Sequence, residues 1–281
     1  MKTDLTSCEA AVREPIRHPA WDEDVDGNRS AILSGKDEGY GKETIMYEYT
    51  ERVRYTEMDE NRNLSLTSII NFMQDCCIYE AEDGGVGIDW LKEHHTAWML
   101  ISWQVKILRR PVFCEHVKIK TWACGFRHFL GQRNFTITNA ETGELLIFAY
   151  SEWAYVNVQT QKPERHVPEE ELAVYGINPP MDYPFEKGRL DIPEEMEERP
   201  PITVTEVNLD TNHHVNNGQY VALACSVLPE GTAHVTDFRC DVRAQSVLGD
   251  VLLPYISRGE EGVTVVLKDP EGKPKLVARF Q

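Results

Sequence analysis

Asp210, Asn212 and His214 stand at two-residue spacing in the run Asn208 to Tyr220, N-L-D-T-N-H-H-V-N-N-G-Q-Y. A carboxylate, an amide and an imidazole are a set that can orient a reactant, polarise it and move a proton. Ahead of them Ile202–Val207 alternates apolar and polar residues, the mark of a half-buried strand. Behind them Tyr220, Leu223, Ala224, Val227 and Leu228 recur at helical spacing, and Asn216 or Asn217 suits the N-cap of that helix. The three side chains therefore belong to a loop entering the positive end of a helix dipole, beside amides that could hold a developing oxyanion. Asp and Asn are also ordinary turn formers, so the motif needs support from the rest of the chain.

Composition narrows the chemistry. The chain has 281 residues, long enough for one large domain or two ordinary ones, and its 41% hydrophobic content suits a folded core. A net charge of −17 argues against a nucleic-acid partner, whose phosphates would be repelled. No apolar run approaches the roughly 20 residues of a membrane span, and Met1–Leu5 lacks the apolar core of a signal peptide, so a cytoplasmic protein is expected. Seven cysteines without a C-x-x-C pair make neither a disulfide framework nor a zinc site. One region runs against the acidic balance: from Gln104 to Phe135, Lys106, Arg109, Arg110, Lys118, Lys120, Arg127 and Arg133 stand against Glu115 alone. Such a stretch either steers an acidic partner or is a set of solvated strand faces.

Residues 1–44 read as an acidic tail with a short helix over 9–17, given no chemistry. A strand over 46–55, a turn at 59–63 and a helix over 65–82 follow, the helix presenting Leu66, Ile69, Ile70, Met73, Cys77 and Tyr79 and ending at Gly84, Gly85 and Gly87. Strands over 98–107, 117–126, 129–139 and 145–157 come next, in two hairpins. This is an α+β pattern, and it defines a first unit over 45–175. The proline-punctuated, acidic segment 176–201 has the composition of an exposed linker, and a second unit over 202–281 restarts the pattern.

The two units align. With Asp59 over Asp210, V-R-Y-T-E-M-D-E-N-R-N-L-S lies over V-T-E-V-N-L-D-T-N-H-H-V-N, and each is followed by a helix and antiparallel strands. Asn63 faces His214, so the titratable group is found in the second copy only, as if one copy were active and the other degenerate. Asp241, on a later strand, shares a face with Arg239 and Arg243 while Cys240 points the other way. It reads either as a surface ion pair or as a carboxylate held ionised to accept a proton from water.

The paired halves, the L-D-x-N-x-H-V-N-N-x-x-Y motif, W-x-x-x-x-x-V, Thr121-Trp122, T-G-E-L-L and Ser151-x-Trp153 resemble the acyl-acyl-carrier-protein thioesterases of plastids and bacteria. The resemblance implies a tandem hot-dog fold, two long helices each wrapped by an antiparallel sheet, and hydrolysis of a fatty acyl thioester on acyl carrier protein. It places the family's catalytic Asp, Asn and His on Asp210, Asn212 and His214, and its acidic strand residue, usually Glu, on Asp241. Val242 stands where the family can have a Cys once proposed as nucleophile, so attack by water is expected. Asp241 or His214 would act as general base, with Asn212 positioning the reactants and amides near Asn216 and Asn217 holding the oxyanion. An acyl tunnel in the first half would draw on Ile69, Met73, Trp98 and Met99, each of which, taken singly, reads sooner as core than as lining. Arg109, Arg110, Arg127 and Arg133 would meet the acidic carrier protein. No metal or organic cofactor is implied, and homodimer formation is left open. The competing readings are an acyl-CoA thioesterase, a hot-dog dehydratase, disfavoured by V-N-N after His214, and a non-catalytic acyl-binding module.

Overall fold

The computed structural model describes residues 46–281, so the tail expected at 1–44, with its short helix, lies outside the described residues. Strand β1 (Tyr47–Arg52) is followed by a 3-10 turn at Tyr55–Glu57 and then by α1 (Leu66–Asp83). Ser65 caps α1 by accepting the Ser68 amide on its Oγ, and Gly84 and Gly85 end it, Gly85 at φ 77°. Tyr79, expected on the apolar face, is 45% exposed, whereas Glu80 is buried. A short helix that periodicity could not reveal, α2 (Ile88–Glu93), leads into β2 (Thr96–Ile107). Then come β3 (His116–Arg127), β4 (Leu130–Asn139), β5 (Leu145–Asn157), the two-residue β6 (Lys162–Pro163) and α3 (Glu169–Tyr175). In the β4–β5 turn Asn139 Oδ1 accepts the amides of Glu141 and Thr142, and Gly143 takes φ 74°.

Past residue 176 the chain forms β7 (Glu197–Glu198), β8 (Ile202–Thr203), α4 (Asn217–Cys225), β9 (Asp237–Val242), β10 (Val251–Gly259), β11 (Gly262–Lys268) and β12 (Pro274–Phe280). The strand expected over 202–207 is only two residues long, because Glu206–Asn208 closes into a 3-10 turn and leaves Val207 81% exposed. With nine residues, α4 is half the length of the 18-residue α1.

The repeat seen in the residues reappears as topology. The first copy orders its strands β1-β3-β4-β5-β2 and the second β9-β12-β11-β10, with β7 and β8 both pairing with β10. The copies meet where β2 and β9 pair antiparallel, Ser102 opposite Asp241 through Lys106 opposite Asp237, so one sheet runs through both. Its inner face carries α1 and α4, and one core joins Leu66, Ile69, Ile70 and Met73 to Tyr220, Val221, Phe238 and Cys240. The helices touch closely: a Cβ on Gly218 would lie 2.0 Å from Asn71 Oδ1, and Asn217 Nδ2 donates to Gln74 Oε1 at 2.8 Å.

The segment 176–201 is exposed along most of its length, as its composition suggests, but it is not free. It is a strap laid over the outer face of the sheet. A row of cross-strand neighbours there, Trp122, Asn134, Tyr150, Gln104 and Arg239, follows the strand register. Most of these hold the strap's backbone: Trp122 Nε1 donates to Pro179 O at 3.0 Å, Asn134 Oδ1 accepts the Met181 amide at 2.9 Å, and Gln104 Oε1 accepts the Glu186 amide at 2.8 Å. Phe185 stacks on Tyr150, and Leu190 packs with Val266 and Val277. Buried strand polars thus satisfy a segment short of the backbone N–H donors for a ladder of its own, six prolines falling within residues 176–201.

Candidate active site

The Asp210 loop is held by its own carboxylate. Asp210 Oδ1 accepts the amides of Asn212 at 2.8 Å and His214 at 3.2 Å, and the Asp210 amide donates to His214 O at 2.8 Å. His213 takes φ 60° to close the turn, and Leu209 bridges Val215. The first copy repeats this bond for bond. Asp59 Oδ1 accepts from Asn61 at 2.9 Å and Asn63 at 3.0 Å, the Asp59 amide donates to Asn63 O at 2.8 Å, Arg62 takes φ 64°, and Met58 bridges Leu64. Asp210 therefore shapes the loop, and what distinguishes the second copy is the imidazole placed on it.

Asn216 is the N-cap of α4, its Oδ1 accepting the Gly218 amide at 2.8 Å, and its own amide is committed to Asn208 O at 2.9 Å. Of the two amides expected to face an oxyanion, Asn216 is thus spent. Asn217, the first residue of the helix, carries an amide that helix geometry leaves without an intrahelical acceptor.

Beside this loop lies a cavity of about 570 Å³. Its walls are the C-terminal half of α1 from Gln74 to Glu82, α2, the start of β2, Phe126 and Gly131 at the β3–β4 hairpin, and Tyr175. Asp210, Thr211, Asn212, Asn216 and Asn217 close one side of it. A hollow in the first copy is thereby capped by the chemistry-bearing loop of the second. His214 is half-buried on that loop, next to the lining residues and outside the set that lines the cavity itself.

Among the residues expected in the tunnel, Trp98 lines the cavity, and its Nε1 donates to the buried Glu171 at 2.5 Å. Ile69 and Met73 are fully buried core at 0% exposure, and Met99, one residue from Trp98 on the strand, does not line the cavity. Period two puts neighbours on opposite faces, which is why only one of that pair reaches the hollow.

Asp241 is elsewhere. It lies on the outer face, its Oδ2 accepting the Leu190 amide at 2.6 Å and meeting Arg243 at 3.1 Å, with Arg239 at 3.8 Å from Oδ1. Its strand neighbour Cys240 faces the core, so the sheet separates Asp241 from the cavity. It anchors the strap and does not line the cavity. Cys240 is buried and its thiol is pushed up by burial, and burial also raises the thiol of Cys77, in the cavity wall, to about 11. Neither is an activated nucleophile.

The basic stretch is largely neutralised within the molecule. Arg109 is clamped by Glu115 and Glu144, both at 2.8 Å, and Lys118 and Lys120 share Glu48 at 3.0 Å. Lys106 pairs with Asp237, and the buried Arg133 pairs with Glu80. Arg110 is buried as well, donating to Leu64 O at 3.1 Å in one copy and Thr232 O at 2.8 Å in the other, where it ties the halves together. Arg110 and Arg133 thus cannot meet a partner protein, and of the four arginines Arg127, at the hairpin end, is the exposed one. Spacing alone missed these partners because Glu48, Glu80 and Glu144 are distant in sequence.

Comparison with known proteins bears on the fold and on the first copy. The acyl-ACP thioesterase N-terminal domain matches residues 44–175. A chloroplast acyl-[acyl-carrier-protein] hydrolase from Cuphea viscosissima is 22% identical over 268 residues, covering 85% of this chain and 65% of that protein, so the chain spans just under two thirds of that relative's length. Two solved structures share the fold. An acyl-ACP thioesterase from Bacteroides thetaiotaomicron has a TM-score of 0.75 at 22% identity, covering 84% of this chain and 96% of that one. A 12:0-ACP thioesterase from Umbellularia californica has a TM-score of 0.72 at 22% identity, covering 86% and 98%. The fold is the tandem hot-dog shared with these solved structures, and its first copy matches the acyl-ACP thioesterase N-terminal domain.

Proposed function

We propose that the protein hydrolyses fatty acyl-acyl carrier protein to free fatty acid and carrier thiol. The observation that carries this reading is the mostly apolar cavity of the first copy, capped by Asp210, Asn212, Asn216 and Asn217 of the second. An acyl chain lying in the cavity brings its thioester carbonyl to the loop. His214 takes a proton from a water as its oxygen bonds to the carbonyl carbon, and the Asn217 amide with the helix dipole receives the oxyanion. Collapse breaks the carbon–sulfur bond, and His214 returns the proton to the departing thiolate. Asn212 positions the water or the carbonyl, and Asp210 holds the loop. With the sheet between it and the loop, Asp241 has no step. Arg127 is the proposed contact for the acidic carrier protein.

The test is release of free fatty acid from a chain-length panel of acyl carrier protein thioesters, with matched acyl-CoA run beside it. Wild type should release acid from the carrier-protein substrates, and His214→Ala should lose at least about a hundredfold in kcat, the scale of a general base. Release that survives His214→Ala would move the chemistry off this loop. Turnover of acyl-CoA alone would change the carrier.

A further inference from the structure

The proposed acyl cavity has a charged element in its wall. Arg133, on β4, lines it, yet the residue is 8% exposed and its guanidinium sits among apolar and aromatic neighbours. Its Nη2 bonds Glu80, its Nε donates to Thr121 Oγ1 at 3.3 Å, and its carbon lies 5.2 Å from the Tyr175 ring centroid. The third nitrogen, Nη1, takes no acceptor among the described residues. Nη1 is not sealed off from the hollow, so an acyl chain that filled the cavity would shut water away from this donor, a cost that a ligand oxygen removes. Glu80 already balances the charge, so a neutral oxygen suits the place better than a second carboxylate.

The position along the cavity follows from α1. Gln74, which holds Asn217 of the capping loop, is six residues before Glu80, a rise of roughly 9 Å at 1.5 Å per residue. With carbon–carbon bonds of about 1.5 Å in zigzag, that distance takes roughly six to eight carbons. We infer that Arg133 is a specificity-determining residue which reads a hydroxyl or keto oxygen borne by the acyl chain well beyond the thioester. A plain saturated chain of the same length buries methylenes against a donor left without an acceptor, so it binds less well. This rests on the acyl-thioesterase reading of the cavity.

The experiment compares acyl carrier protein thioesters of equal length, plain or with a hydroxyl walked from the fifth to the ninth carbon. Calorimetric binding of the corresponding free fatty acids to wild type runs alongside. The variant is the double replacement Glu80→Leu with Arg133→Met, which removes both charges together and avoids stranding one. Its fold is checked by thermal unfolding. The expected result is a kcat/KM and affinity about tenfold or more in favour of one hydroxylated position in wild type, the scale of a hydrogen bond to a charged donor. That preference should vanish in the double variant, which should gain on the plain chain. Equal handling of plain and hydroxylated chains by wild type overturns the inference whether or not the variant folds, as does a preference that persists in the folded variant. If no thioester is cleaved, the hydrolase reading fails, and the calorimetric comparison still decides the role of Arg133.

Discussion

Two turns with the same hydrogen bonds separate architecture from chemistry at the residue scale. Because Asp59 and Asp210 each accept two backbone amides, Asp59→Ala and Asp210→Ala should each cost about 1–3 kcal/mol by chemical denaturation. Only Asp210→Ala should also abolish fatty acid release, since only its loop carries an imidazole. Equal loss of activity in both would return the loop to a purely structural role. Glu115 gives a pH signature. Its carboxyl is lowered from 4.5 to about 2, chiefly by its bonds to Arg109, against burial and with help from Asn139 and the Val112 amide. A depressed acid stabilises the fold above its unfolded value and loses that contribution as pH falls through its folded one. Wild type should therefore exceed Glu115→Gln by about 1 kcal/mol near neutrality after solvent screening, with the gap closing between pH 4.5 and about 2. A gap that is constant with pH would deny the ion pair its part. The exposed Arg127 makes a different prediction. Arg127→Glu should raise KM several-fold for carrier-protein substrates at low salt and leave a small soluble thioester unaffected, an effect of charge on encounter.

What the sequence made legible at the scale of elements was whatever local pattern controls. The β5 bounds, 145–157, agree with the expectation to the residue, and β2, β3 and β4 agree within two, because alternation and turn residues act over a few positions. The motif at 208–220 likewise announced its loop and cap. The strap remained hidden because its partners are polar residues on distant strands, Gln104 and Asn134 among them, which no window of neighbouring residues contains. For the same reason the alternation of Asp241 with Cys240 was legible and the segment covering Asp241 was not. Asp241→Asn should consequently lower the unfolding temperature, through loss of a buried charge beside Arg243 and Arg239, and leave kcat per folded molecule within a few-fold of wild type. Loss of kcat without loss of stability would restore Asp241 to the reaction.

At the scale of the whole molecule, the β2–β9 pairing and the shared core predict one cooperative unfolding transition by calorimetry, since neither half can open without exposing the other. Two resolved transitions would show the copies to be independent. The strap has a consequence of its own. It joins the copies covalently, so the surfaces of α1 and α4 meet at a local concentration fixed by the chain, whatever the number of molecules in solution. Two separate subunits would part on dilution, and in a homodimer they would have to be identical. Tethered partners are spared both demands: the pairing of the two copies does not weaken on dilution, and one partner can give up its imidazole for an asparagine and keep a hollow instead.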